Sequence, residues 1–556
     1  MKQDTKASLL IAVFILALTV PFSNKAYHMD DVAFIYIADQ ILKDPLRPYS
    51  FTVEWGGGTK QAIHLNDTPL VSYYISLITL LFGRSEANLH LSFIIFHMIA
   101  GISFYFLAKR FVRKPLMATL LLVATPTFLV NSHNLMFDVP VLSLLLLAMV
   151  LFIRGVDKED HKFLFFGSFV AGLAYLTKPT AIVIVPLMAF YCFANKKSKY
   201  IAYQIIPIMF VVLFALHNYL FEGKVLLTNY GSFIIGNKPN LSLLSAHVFS
   251  NLSYIGGATI FPFFFLYPFL FNRKNIKYLA FSLAIAVAVS IILYNLSSSF
   301  ISGRYTPFQI AVLTIFMTCS IFFISVLFSE NYDNLKAGIL NLSKQNNVVF
   351  SADKLFIFIW FIAMYVMNSI VVGGSVRYNT LFLPPLVLSY FLLLKKYQKN
   401  FIRKHSRLLF LALSLTLLTG ISVAYADYDY ANSYRNFANN LPNKYKELNN
   451  TLYFNGGAGF QYYMSEKGFR MLLQNDASPE KGDFIIQPRI SFPRKMAPKL
   501  IKKLELAETI SYDGAIPVRT QNPEAHAGFY IYAGGFLPYS ISNSKLENFD
   551  IYIVKQ

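Results

Sequence analysis

The chain is poor in charge, in acid and in cysteine. Asp, Glu, Lys and Arg make up 14% of its 556 residues, where a soluble protein of this length carries about a quarter. Hydrophobic residues reach 55% and the mean hydropathy is +0.48, which excludes an ordinary soluble domain. The two cysteines, Cys192 and Cys319, both fall inside apolar runs. They are too few and too deep for a disulfide framework or a thiolate metal site. No small-x-small cleavage site follows the first apolar run, Leu9 to Phe22, although Lys2 and Lys6 precede it; an uncleaved first span is expected. No internal repeat of the kind seen in many secondary transporters is visible. The stretch "WGGGTK" (55–60) lacks the spacing and the following Ser or Thr of a phosphate-binding P-loop, so it reads as a flexible loop.

What is present is a series of apolar runs, each near the length that crosses a ~30 Å hydrocarbon layer. Spans are expected near 8–24, 89–108, 115–131, 139–153, 163–177, 179–194, 200–220, 248–271, 277–296, 306–328, 355–373, 379–394 and 407–426, thirteen in all. The net charge of +20 does not point to nucleic acid, because the bases concentrate in short loops between spans. "KRFVRK" (109–114), "RGVDKEDHK" (154–162), "NKKSK" (195–199), "NRKNIK" (272–277) and "KKYQKNFIRKHSR" (395–407) are read as inside. "NSHNLMFD" (131–138), "TKPT" (177–180), "SSSFISGRYT" (297–306) and "GGSVRYNT" (373–380), with at most one base each, are read as outside. This alternation predicts a cytoplasmic N-terminus and an extracytoplasmic C-terminus in a multi-pass protein of the cell (cytoplasmic, inner) membrane. The segment "LTKPT" reads either as a tight turn between two short spans or as a polar break in one long span. With 54 Phe and 35 Tyr, aromatics can serve both lipid-facing packing and interfacial belts.

Two regions do not read as spans. Residues 25–88 form a long first outer loop with a short helix around 32–42 and a fourteen-residue apolar stretch at 70–83, short for crossing and better suited to an interfacial or re-entrant helix. Residues 427–556 change character. Their apolar runs shorten to "TLYFN", "DFIIQ", "FYIYAGG" and "DIYIV" around a basic helical pattern, "APKLIKKLEL". A small soluble α/β domain outside the membrane is expected there, beside a membrane domain of residues 1–426.

Ionisable groups beside membrane spans are costly and are functional candidates. On the side assigned outside stand Asp30, Asp31, His28, His64, Asp67, His133, Asp138, Lys178, Arg304 and Arg377. Carboxylates can take a proton from an acceptor hydroxyl or hold a metal, and Arg and Lys can grip a phosphate. Chemistry on a phosphate-bearing lipid at the outer leaflet needs this combination. Each residue also has a plain structural reading. Asp30 and Asp138 stand where helix N-caps belong, Lys178 can snorkel, Arg304 and Arg377 can close span ends, and the histidines can pack.

The order of these residues is similar to that of a known family. An acidic pair follows the first span, then "HLNDTPLVSYYISLITLLFG", then a lone acid in "NLMFDVPVLSLLLLAMVLF", then "GLAYLTKPTAIVIVPL" and finally "VRYNTLFLPPLVL". The chain resembles the GT-C-fold, polyprenyl-phosphate-dependent membrane glycosyltransferases, in the branch of the bacterial protein-mannosyltransferase-like enzymes and the aminoarabinose transferase of lipid A. The resemblance covers about residues 1–430. The tail, with "GGAGFQYYMSEKG", "GDFIIQP", "AGFYIYAGGFLPYS" and "FDIYIV", is similar to the extracytoplasmic domain of bacterial members. It implies a mainly α fold and inverting transfer of a sugar from a polyprenyl-phosphate donor to a lipid, glycan or protein acceptor. It also implies Asp30 as catalytic base beside Asp31 and Asp138, and Lys178 and Arg377, with Arg304 as a second candidate, at the donor phosphate. Relatives often carry Asp-Glu where this chain has Asp30-Asp31, and Lys-Pro-Pro or His-Pro-Pro where it has Asp67-Thr68-Pro69. The phosphate contact or metal ligand of the latter position is therefore not carried over, while His64 and Asp67, with His28, leave an acceptor contact or a divalent cation as options. The competing class is a lipid-linked saccharide flippase or another carrier. Such proteins usually have an even span count and place ionisable groups at mid-membrane rather than at span ends.

Overall fold

The computed structural model describes residues 2–56, 58–65, 68–225, 241–262, 264, 266, 273–296, 304–342, 351–372, 374–397, 406–441, 445, 451–474 and 478–555. Among them, nine helices are long and apolar enough to cross a membrane, and a tenth is counted if Pro115–Ala124 and Pro126–Ser132 are one span bent by 63°. The bend has a local cause. Thr125 is extended, its hydroxyl accepts from Phe128 N at 3.2 Å, and Pro126 opens the second helix. The chain is thus a multi-pass membrane protein.

The expected count of thirteen differs because several apolar runs form shorter elements. His161–Thr177 has 17 residues, about 25 Å of helix against a ~30 Å layer. It stops at Lys178, which is extended, and the chain resumes as a 3₁₀ turn, Pro179–Val183, before Ile184–Ala194. The segment "LTKPT" is therefore a break, made by a proline that cannot continue the preceding helix. Leu70–Phe82 is a short apolar helix, and part of the span expected at 248–271 lies outside the described residues.

Ion pairs mark the two ends of the bundle. At one end Lys109 reaches Asp4 at 2.6 Å, and Arg110 holds Asp157 and Asp353 at 2.7 Å each. The helix Asp138–Lys158 carries Asp157 near its C-terminus and Asp138 at its N-terminus, about 30 Å away. At the Asp138 end lies the first loop. It contains the helix Asp31–Lys43 and a two-stranded ribbon, Thr52–Trp55 with Gly58–Gln61.

The last span, Ser406–Asn440, is one helix of 35 residues, about 50 Å long. It outruns the bilayer and carries Tyr430, Tyr434 and Phe437 into the C-terminal region, where the Phe437 ring stacks on Phe549 at 3.9 Å. There Glu547–Val554 is the hub of a five-stranded mixed sheet. It pairs antiparallel with Phe484–Pro488 and Leu504–Tyr512, while Leu452–Phe454 pairs parallel with Phe484–Pro488 and with Arg470–Met471. Helix Ala458–Glu466 packs beside the first loop, where Tyr27 N donates to Tyr463 Oη at 2.8 Å.

The segment between Gln521 and Ile541 leaves the sheet and lies on the span ends. Val376 N donates to Phe529 O and Tyr532 N to Gly374 O, both at 2.9 Å, and Tyr254 Oη donates to Gly535 O at 2.8 Å. Gly374 is required by this approach, since a β-carbon there would run into Ser250 Oγ and the Tyr532 side chain.

Candidate functional site

Asp30 and Arg377, 347 residues apart, meet at the Asp138 end of the bundle. Arg377 Nη1 donates to Asp30 Oδ2 at 2.6 Å. Asp30 occupies the N-cap position of its helix, but its side chain makes no capping bond, so the carboxylate is free for the arginine. The preceding residue, Met29, is buried at φ 47, a conformation that costs a non-glycine residue about 1–3 kcal/mol and is retained where surrounding structure fixes it. What fixes it is Asp31. Its carboxylate accepts from His28 N and Leu135 N, both at 2.8 Å, tying the loop to the segment before Asp138. Arg377 opens a 3₁₀ turn just after the π-helical segment Met367–Val372, a rare geometry that recurs at functional sites. Its carbonyl accepts from Thr380 Oγ1 at 2.6 Å, and Asn131 Nδ2 in turn donates to Thr380 Oγ1 at 2.8 Å.

A second pair stands beside the first. Lys178 Nζ donates to Asp138 Oδ1 at 2.7 Å with both side chains buried. The ammonium lies 4.2 Å from the Phe137 ring centre and 4.5 Å from that of Tyr378, and Arg377 Nη2 donates to the Tyr378 hydroxyl at 3.2 Å. Tyr378 thus joins the two pairs. Asp138 is not the N-cap of its helix: that position falls to Phe137, and Asp138 is the first helical residue. Two buried atoms here, Arg377 Nε and Asp138 Oδ2, have no hydrogen-bond partner among the described residues. An orphaned donor and acceptor within one cluster call for an explanation, and a bound ligand is one.

The pair opens into a cleft of ≈ 350 Å³, within the ~300–1,000 Å³ range of small-molecule sites. Asp30, Arg377 and Tyr378 form its floor. His247 and Ser375 line one flank, and Phe492, Tyr530, Ile531 and Tyr532 of the C-terminal region form its roof.

The remaining sequence candidates are distributed elsewhere. Asp31 does not face the cleft, because both its oxygens are consumed by backbone donors. Burial nevertheless pushes its carboxyl up to about 7. His28 is fully buried among Tyr430, Tyr434 and Tyr530 and 3.5 Å from Asp427, and it is not part of the cleft lining. His133 stacks on Phe22 at 4.2 Å. His64 is exposed, 3.5 Å from Lys224 Nζ. Arg304 is exposed next to Tyr305, whose ring stacks on His526, and it is not part of the cleft wall. Asp67 lies outside the described residues. Among the described residues no group of three or more His, Cys, Asp or Glu is disposed to share an ion.

Sequence reasoning missed a buried node behind the cleft. Lys25 Nζ donates to Asp427 Oδ2 at 2.5 Å and to Asn134 Oδ1 at 2.6 Å. Asp427 also accepts from Tyr530 Oη at 2.7 Å and Thr520 Oγ1 at 3.0 Å. The first loop, the last span and the cleft roof are thereby joined through one carboxylate. The signal was a charge immediately beyond the first expected span and an acid immediately beyond the last.

Residues 66–219 match the family model described as dolichyl-phosphate-mannose-protein mannosyltransferase. That stretch contains Asp138 and Lys178, begins after Asp30 and ends before Arg377. No curated protein matches the chain. Among solved structures, ArnT from Cupriavidus metallidurans in the apo state is 11% identical, with a TM-score of 0.42 over 99% of this chain and 98% of that one. The same protein bound to undecaprenyl phosphate gives 11% and 0.38 over 86% and 93%.

Proposed function

We propose that this protein is an inverting glycosyltransferase that moves a sugar from a polyprenyl-phosphate donor to a cell-envelope acceptor at the extracytoplasmic face of the cytoplasmic membrane. The observation that carries the reading is the meeting of Asp30 with Arg377 beside Asp138 and Lys178, at span ends and at the floor of a cleft. A base and two cations within one site match what the chemistry needs. The family match over residues 66–219 supports the same class.

In the resting state Asp30 neutralises Arg377. A lipid phosphate offers the guanidinium a competing, geometrically matched anion, and Lys178 supplies a second positive charge, aimed by Asp138. As the phosphate engages Arg377, Asp30 is released to accept the acceptor proton. The acceptor oxygen then bonds to the anomeric carbon from the face opposite the phosphate. The bond from that carbon to the phosphate oxygen breaks with its electron pair passing to the phosphate. No covalent enzyme intermediate forms, and stabilisation of the departing anion is the larger contribution.

The test is transfer of radiolabelled sugar from polyprenyl-phosphate hexoses or pentoses to envelope acceptors by the purified, reconstituted protein. Asp30→Asn is expected to cut transfer by about 10²–10⁴. Undiminished transfer by Asp30→Asn, or none by the wild type from any such donor, contradicts the proposal.

A further inference from the structure

Phe492 is an aromatic residue held open. It is 41% exposed and sits at φ 51, in the left-handed region that a bulky side chain rarely adopts. It lines the same cleft as Asp30 and Arg377, rather than a lipid-facing span. Its conformation is imposed from the residues before it. The buried Glu547 carboxylate accepts from Arg489 N and Ile490 N at 2.9 Å, from Asn548 N at 2.9 Å, and from both Ser491 N and Ser491 Oγ at 2.8 Å. Ser491 O in turn accepts from Gly457 N at 3.0 Å. A strained residue over-determined in this way, at a cleft wall, points to a role for its side chain.

The neighbouring wall is aromatic too, and equally fixed. Tyr530 is clamped through its hydroxyl by Asp427 and Asn134, and Tyr532 meets the His247 ring edge-on at 5.1 Å. The floor adds the charged groups of Asp30 and Arg377 beside the Tyr378 ring, and Ser375 stands on the flank. The cleft therefore offers aromatic rings and hydrogen-bonding groups together.

We propose that Phe492, beside Tyr530 and Tyr532, is the stacking platform for the sugar ring of the donor. A pyranose or furanose has a C–H face of slight positive charge, suited to the negative face of an aromatic ring, and a rim of hydroxyls suited to the polar floor. The ring belongs to the donor because it is the one attached to the phosphate that Arg377 grips. The proposal rests on the transferase reading and deepens it: a region outside the membrane spans, not the spans alone, selects the donor.

The experiment measures binding of polyprenyl phosphate and of its hexose and pentose esters to the full-length protein in nanodiscs. The wild type is expected to bind at least one ester about 10-fold more tightly than the bare lipid. Phe492→Ala and Phe492→Gly should close that gap to within about 3-fold without changing affinity for the bare lipid, and Phe492→Trp should keep it. Phe492→Gly, which relieves the positive φ, should melt no lower than the wild type, which separates loss of stacking from loss of fold. A wild type without the gap, a gap untouched in Phe492→Ala, or equal weakening of both lipids overturns the proposal. A protein that transfers sugar with a gap insensitive to Phe492 defeats the platform alone. One that shows the gap and its loss in Phe492→Ala but never transfers sugar defeats the transferase reading alone.

Discussion

Asp30 and Asp31 are adjacent and chemically alike, yet the fold gives them separate tasks. The first faces Arg377 and the cleft, and the second is spent on two backbone amides. Behind them His28 is enclosed by three tyrosines and Asp427, with Lys25 near. Burial lowers its pKa, because a charged imidazole would lose its hydration. The unfolded chain therefore binds a proton below ~6.5 that the folded chain refuses, and stability falls as the pH drops through that value. His28→Phe should remove this contribution. Thermal unfolding between pH 7 and 5 should show a steeper loss for the wild type than for the variant, by up to about 1.4 kcal/mol per pH unit. Equal slopes would mean that His28 is not buried as described.

Among elements, the segment Gln521–Ile541 has the largest consequence, since it brings the roof to the Arg377 turn. Gly374 is the contact point, and Gly374→Ala is expected to cost about 1–3 kcal/mol as overpacking and to displace Tyr532 and Ser250. Melting temperature and sugar transfer should fall together, with transfer reduced at least about 10-fold. Normal transfer in a fully folded Gly374→Ala protein would show that the roof does not set the site. This contact was not legible in the sequence. Val376 and Phe529 are separated by more than 150 positions, and nothing in local periodicity joins a strip of a sheet domain to a span end. The spans were legible because apolar run length is a one-dimensional property. The breaks at Thr125–Pro126 and Thr177–Pro179 were less so, because a run's composition does not say whether a proline bends a helix or ends it.

For the whole molecule, sequence order carried the candidate site further than any single motif. Asp30, Asp138, Lys178 and Arg377 each had an ordinary structural explanation, and the fold brings all four to one end of the bundle as two neighbouring ion pairs. His64 and Arg304 shared the same assigned side but are held elsewhere, by the Lys224 contact and by the packing of Tyr305 on His526. Side of the membrane is thus necessary for membership of the site and does not suffice, because lateral position depends on packing between helices distant in sequence. The buried node of Lys25, Asn134, Asp427 and Tyr530 shows the same rule in reverse. Two of its members, Lys25 and Asp427, stand just beyond the first and last expected spans, and only the fold shows that those ends meet.

On the proposed mechanism Asp30 competes with the lipid phosphate for Arg377, so its removal should act with opposite signs on binding and on chemistry. The most direct measurement is the Kd of polyprenyl phosphate for wild-type and Asp30→Asn protein, taken beside sugar transfer by the same preparations. The expected result is binding tightened about 3- to 10-fold, about 0.6–1.4 kcal/mol, with transfer nearly abolished. Weaker lipid binding in Asp30→Asn, or transfer at the wild-type rate, would contradict it.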